Sequence, residues 1–120
     1  KEAVNEFSRR DAPAGCLLTM STGCSSVSLG VQQSLAKKRA MARDRIRERI
    51  ERGIAEGDVP ASADPLALAE FVTTVFAGMA MHARDGASRK ALLATVDNTM
   101  RAFPEVQRTV RKKKKSTAPA

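Results

Sequence analysis

The feature that most constrains this chain is a long segment that is apolar on most of its sides. Thirteen of the 18 residues from Leu66 to Ala83 are apolar, and the exceptions are Glu70, Thr73, Thr74, Gly78 and His82. An ordinary surface helix carries one apolar stripe, because its other sides face water. A helix of this composition must be covered on most sides, so we expect it to lie at the centre of a small fold and also to meet a partner chain.

The remaining segments predict an all-α fold, since no alternation of period two is long enough for a strand. Asp64 can cap the apolar helix, Pro65 suits its first position, and Gly57 and Ser88 fit a C-cap and an N-cap. The short link after Ala83 predicts an antiparallel hairpin. We therefore predict an antiparallel bundle of four main helices, running from about Pro13 to Leu29, from Val31 to Glu56, from Leu66 to Ala83 and from Ser88 to Pro104.

The second segment is amphipathic and strongly charged. Twelve of its 23 residues from Ser34 to Glu56 carry a charge. The apolar positions recur mostly every fourth residue, which predicts one narrow buried seam and a solvated remainder. The seam comprises Val31, Leu35, Ala42, Ile46, Ile50 and Ile54.

The net charge of +8 is unevenly distributed along the chain. Residues 105–120 hold six Lys or Arg against one acid and account for most of it, so the folded part is only mildly basic. We predict a disordered basic tail over 105–120, a helical domain over 13–104, and a remnant of a preceding helix or linker over 1–12. Contact with nucleic-acid phosphates, without sequence selectivity, is expected only from Lys112, Lys113, Lys114 and Lys115.

The stretch AGCLLTMSTGCSS, from Ala14 to Ser26, decides the compartment. Its apolar run is too short and too polar for an export signal, which needs roughly 7 to 15 apolar residues. No segment is expected to cross a membrane either, because the uncharged run ending at Arg84 is short of the roughly 20 residues required. We expect a cytoplasmic protein with reduced thiols at Cys16 and Cys24.

The sequence offers few candidate residues for catalysis or metal binding. His82 is the only histidine, and no acid or nucleophile stands at a spacing that implies a triad. Two cysteines eight apart and one distant histidine do not form a zinc pattern. We therefore expect no enzyme activity, no metal and no cofactor.

Three stretches together resemble a known family. They are APAGCLLT (Ala12 to Thr19), RIRERIERGIAEGDVPASADPLALAEFV (Arg45 to Val72) and FAGMAMHARDGASRKALLATVDNTM (Phe76 to Met100). In their order and spacing they resemble the C-terminal regulatory domain of the tetracycline-repressor (TetR) family of bacterial transcriptional regulators. The resemblance implies a non-enzymatic helical domain that binds a small molecule and pairs with a second copy through its last two long helices. The DNA-reading helix-turn-helix head would lie before Lys1, so this chain is expected to act as one part of a longer polypeptide.

The site residues expected on these grounds fall into two groups. The Gly- and Ser-rich first helix either allows close packing or leaves a void for a small apolar ligand. That void would be bordered by Leu17, Met20, Cys24, Phe71, Val75, Met79 and His82. A homodimer would form through Val72, Phe76, Ala80, Leu92, Val96, Thr99 and Phe103. The alternative is a small helical adaptor, or a nucleic-acid-associated protein that acts through its basic tail.

Overall fold

The computed structural model describes residues 1–9, 11, 14–20 and 28–105, and for residues 17 and 20 only the backbone. Within these ranges the regular structure is helical, and the predicted all-α class is confirmed. The helices are α1 (Glu2–Phe7), α2 (Leu17–Met20), α3 (Leu29–Glu56), α4 (Pro65–Arg84) and α5 (Arg89–Ala102). The predicted disordered tail falls almost entirely on residues 106–120, which lie outside the described residues.

The first predicted helix differs from the structure at both ends. Gly15 has a φ of 101°, which an α-helix does not allow, and the helical backbone begins only at Leu17. Leu29 belongs to α3, whose N-cap Ser28 accepts a hydrogen bond from the Val31 amide at 3.4 Å. The prediction was wrong here because it began before the bend at Gly15 and continued past Ser28, which starts the next helix.

The other helix ends confirm the predicted caps. The Asp64 carboxylate accepts from the amides of Leu66 and Ala67, at 2.9 and 3.1 Å, with Pro65 opening α4. Ser88 Oγ accepts from the Ala91 amide at 3.2 Å at the start of α5. Gly57 has a φ of 81° and ends α3 in the left-handed conformation.

The apolar helix α4 is the centre of the fold, because all four other helices pack on it. The buried core joins α1, α4 and α5, and the rings of Phe7 and Phe76 meet edge to face with centroids 5.0 Å apart. The 1–12 segment therefore contributes to the core through α1. The buried members of the core are Val4, Phe7, Met79, Ala80, Ala83 and Leu92.

Helix α4 also corrects the expectation about membrane-spanning segments. It is 20 residues long and contains an 18-residue stretch with a mean hydropathy of 1.4, so it meets the length and composition of a membrane span. The uncharged run is shorter than the helix, because the apolar segment continues on both sides of Glu70. The core helix of a folded domain meets the same criterion, and α4 buries Ala69, Met79, Ala80 and Ala83 within this chain.

Candidate functional site

A groove runs along α4 between two helices whose backbones stand apart. Both α3 and α5 pack on α4, but no Cα atom of α3 lies within 8 Å of a Cα atom of α5. The space between them is a cavity of about 500 Å³. This volume lies in the range of small-molecule pockets.

The side chains of the groove come from three helices and the start of the chain. Those of α4 stand three or four residues apart and form one face, here called the groove face: Val72, Val75, Phe76 and Met79. The walls are supplied by Arg45, Ile46, Arg49 and Ile50 of α3 and by Val96, Thr99, Met100 and Phe103 of α5. Lys1 and Ala3 complete the lining. The groove is therefore apolar inside, with basic side chains on the α3 and N-terminal sides.

A neighbouring side of α4 is exposed but also largely apolar. We call it the outer face, and it comprises Ala67, Phe71, Thr74, Gly78, Met81 and His82. Phe71 is 38% exposed and Met81 46% exposed. The hydroxyl of Thr74 donates to the Glu70 carbonyl oxygen at 2.8 Å, so it already has a partner within the helix. Gly78 and His82 of this face, with Val75 and Met79 of the groove face, line a second hollow of about 320 Å³ between α4 and the first turns of α5.

The structure distributes the predicted ligand residues over several places. Val75 and Met79 line the groove and, together with His82, the second hollow, whereas Phe71 is exposed on the outer face. Cys16 is partly buried against the core, and Cys24 lies outside the described residues. For Leu17 and Met20 the structure places only the helical backbone of α2.

The predicted dimer residues are also divided. Five of them, Val72, Phe76, Val96, Thr99 and Phe103, line the groove beside Val75 and Met79. Ala80 is fully buried and Leu92 is 2% exposed, both inside this chain's own core. Contact of Ala80 and Leu92 with a partner would therefore require the core to open.

Several groove residues carried no site assignment from the sequence. Ile46 and Ile50 stood in the seam of α3, and Arg45 and Arg49 were counted with its solvated face. The signal that could have found them is the repeated Arg-Ile pair at 45–46 and 49–50, which places a cation beside each inward isoleucine. Only the packing of α3 against α4 shows which side of that pair meets the cavity.

An ion-pair cluster links α3 to α4 near the groove. Arg43 Nη2 lies 2.9 Å from Asp44 Oδ1, and Arg43 Nη1 lies 3.2 Å from Glu70 Oε1. Asp44 first, and Glu70 second, raise the pKa of the Arg43 guanidinium above its ordinary value. Among the described residues, no group of three or more His, Cys, Asp or Glu side chains is placed to hold a metal ion.

Comparison with protein families gives one model that matches most of the chain. The model describes a tetracyclin repressor-like C-terminal domain and matches residues 1–103. The match therefore includes α1 and every helix that lines the groove.

Individual relatives agree with this match. The HTH-type transcriptional repressor ComR of Escherichia coli (strain K12) is 32% identical over 104 residues, which are 86% of this chain and 50% of ComR. Two solved structures of cysteine mutants of the TetR family transcriptional regulator CifR, complexed with 26-base-pair double-strand operator DNA, are 35% and 36% identical. Their TM-scores are 0.78 and 0.81, and the similarity covers 86% of this chain and 55% and 54% of theirs. The chain thus spans about half the length of the relatives that it matches.

Proposed function

This chain belongs to the TetR family of transcriptional regulators through its C-terminal domain, and we propose that it is the ligand-binding and dimerisation domain of such a regulator. It acts in the cytoplasm without enzymatic activity, and DNA is bound by a helix-turn-helix head outside residues 1–120. The relatives support this assignment, since ComR is a helix-turn-helix repressor and CifR was solved on operator DNA.

The observation that carries the proposal is that α4 has an apolar surface on two sides. The groove face closes one side of a cavity of ligand size. The outer face is exposed along the length of the helix and rich in small or apolar residues. A small molecule occupies the groove, and a second copy of the chain covers the outer face.

The two functions are coupled through α4, because it is the wall of both surfaces. A ligand that fills the groove pushes on α3 and α5, which rest on α4 with their backbones apart. A change in the angle between α4 and its neighbours alters the geometry of the paired helices on the other side. In a symmetric dimer the same change occurs in both copies and moves two attached heads apart or together.

Separate disruption of the two faces tests the proposal. Phe71→Glu with Met81→Glu places like charges on the outer face of both copies, and we expect it to weaken the dimer by about tenfold or more. Sedimentation equilibrium measures the dimer. Nile red, a neutral dye that fluoresces in apolar surroundings, reports the groove and should bind this variant as it binds the natural chain.

Thr99→Phe is the opposite variant, since it fills the groove from α5. It should abolish most of the dye signal and leave the dimer intact, while Ala94→Phe on the exposed side of the same helix leaves both unchanged. Met41→Glu, which changes an exposed methionine of α3, controls for the added charge. A stable monomer of the natural chain at tens of micromolar would contradict the dimerisation proposal.

A further inference from the structure

The charges around the groove indicate what kind of molecule it holds. Its lining contains three cationic residues, Lys1, Arg45 and Arg49, and no acidic residue. The interior between them is aliphatic and aromatic, with the Thr99 hydroxyl as the main polar group. This hydroxyl already donates a hydrogen bond to the Thr95 carbonyl oxygen of its own helix, at 2.8 Å.

Two of the acids of α3, Asp44 and Glu51, are engaged with other arginines, and Glu48 is exposed. Asp44 pairs with Arg43, and Glu51 lies 3.5 Å from Arg47. Arg49 reaches Glu56 only at 3.8 Å, with both side chains half exposed, so this pair is weak. For Arg45 there is no acidic oxygen within 4.0 Å among the described residues.

Arg45 and Arg49 are also spaced unfavourably for an empty groove. They stand four residues apart on α3, a spacing at which like charges face each other and destabilise a helix. An anion placed between them removes this repulsion and accepts charge-assisted hydrogen bonds from both guanidinium groups. An apolar body attached to that anion would fill the cavity behind them.

We propose that the groove binds an amphipathic anion, with an apolar body between α3, α4 and α5 and a carboxylate or phosphate head group at Arg45 and Arg49. This inference rests on the proposed ligand-binding function and narrows it to one chemical class. Neutral molecules of the same shape bind by apolar burial alone. Amphipathic cations are repelled by the basic side chains around the groove.

A series of compounds with one alkyl chain and different head groups tests the proposal. Octanoate, octyl phosphate, octanol and octyltrimethylammonium displace Nile red from the full chain, each below its critical micelle concentration. We expect octanoate or octyl phosphate to bind about tenfold more tightly than octanol, and the ammonium compound to bind most weakly. Which of the two anions binds more tightly tells a carboxylate site from a phosphate site.

A pair of double variants assigns the preference to particular residues. Arg45→Gln with Arg49→Gln should remove the preference for the anion and leave octanol binding unchanged. Lys38→Gln with Arg52→Gln removes the same charge from exposed positions of α3 and should keep the preference. The preference should also shrink when salt rises from about 50 mM to about 500 mM, because exposed charges are screened.

The outcomes separate this inference from the proposed function. Equal or tighter binding of octanol overturns the anion proposal and leaves the groove as a ligand site. A preference for the anion that survives in the Arg45 and Arg49 double variant also overturns it. Failure of Nile red and of all four compounds to bind the natural chain contradicts the ligand-binding function itself.

Discussion

The two faces of α4 are similar in composition and different in surroundings. The groove face holds Val72, Val75, Phe76 and Met79, while the outer face combines Phe71 and Met81 with smaller residues. Helices α3 and α5 and the N-terminal α1 cover the groove side in part, whereas Phe71 and Met81 of the outer side are exposed and its Gly78 and His82 border the second hollow beside α5. The comparison shows that apolar composition marks both surfaces of a helix and does not say which one meets a ligand.

Size of side chain distinguishes the two faces better than hydrophobicity does. The groove face has large side chains that stand around a space, and one of them, Phe76, is fixed by its contact with Phe7. The outer face has Ala67, Thr74 and Gly78 at helical spacing, and a Cβ added at Gly78 would meet nothing within 4 Å. Small side chains allow a second helix to approach closely, which suits a protein–protein contact.

The largest effect on stability is expected in the buried core between α4 and α5, because this core holds α4 in place and so positions both of its faces. Leu92→Ala removes a side chain that is 2% exposed and should lower the free energy of unfolding by about 2–5 kcal/mol. Leu66→Ala makes the same change at a residue that is 45% exposed and should cost less than about 1 kcal/mol. Urea unfolding followed by circular dichroism measures both variants, and equal losses would contradict the placement of Leu92 in the core.

A smaller effect with two opposite signs is expected at Gly78, on the outer face. Gly78→Ala should stabilise the monomer by roughly 0.5–1 kcal/mol, because alanine is the better helix former and its methyl group has room. The same methyl group should weaken the dimer, since it holds the partner helix away. Urea unfolding at low concentration and sedimentation equilibrium separate the two effects.

Gly30 provides the matched control for Gly78. It is exposed in the first turn of α3 and also has no atom within 4 Å of an added Cβ. Gly30→Ala should leave the dimer unchanged. A dimer that tolerates Gly78→Ala as well as it tolerates Gly30→Ala would move the interface away from this part of α4.

The sequence predicts local features of this fold well, because their causes are local. The all-α class follows from periodicity. The N-caps at Asp64 and Ser88 follow from side chains that accept hydrogen bonds from nearby amides, and the C-cap at Gly57 follows from the ability of glycine to adopt a positive φ. The first helix was placed wrongly because the spacing of its apolar residues does not show the positive φ at Gly15 or the cap at Ser28. Periodicity does not show where the backbone leaves the helix.

The candidate site was predicted less well, because its surroundings are set by packing. Val75 and Met79 were placed at the ligand and line the groove, but Val72 and Phe76 were placed at the dimer contact and line the same groove. Which side of α4 faces α3 depends on how α3 crosses it, and the pattern of α4 alone does not contain that angle. The outer face contains Phe71 and His82, which the sequence assigned to the ligand.

The smallest effect is expected at the ion pair that ties α3 to α4 beside the groove. Glu70→Gln keeps the size of the side chain and removes the charge that lies 3.2 Å from Arg43. Both partners are partly exposed, so we expect a loss of stability of at most about 1 kcal/mol, decreasing at high salt. Glu48→Gln, at an exposed residue of α3, is the matched control.

The Glu70 variant is more informative about the groove than about stability. If Arg43 and Glu70 hold α3 in place against α4, then Glu70→Gln should loosen the groove and raise the dissociation constant of Nile red, although no groove residue is changed. The dimer should keep its strength, because the outer face is untouched. Unchanged dye binding would show that the position of α3 is fixed by the apolar seam around Ile46 and Ile50 alone.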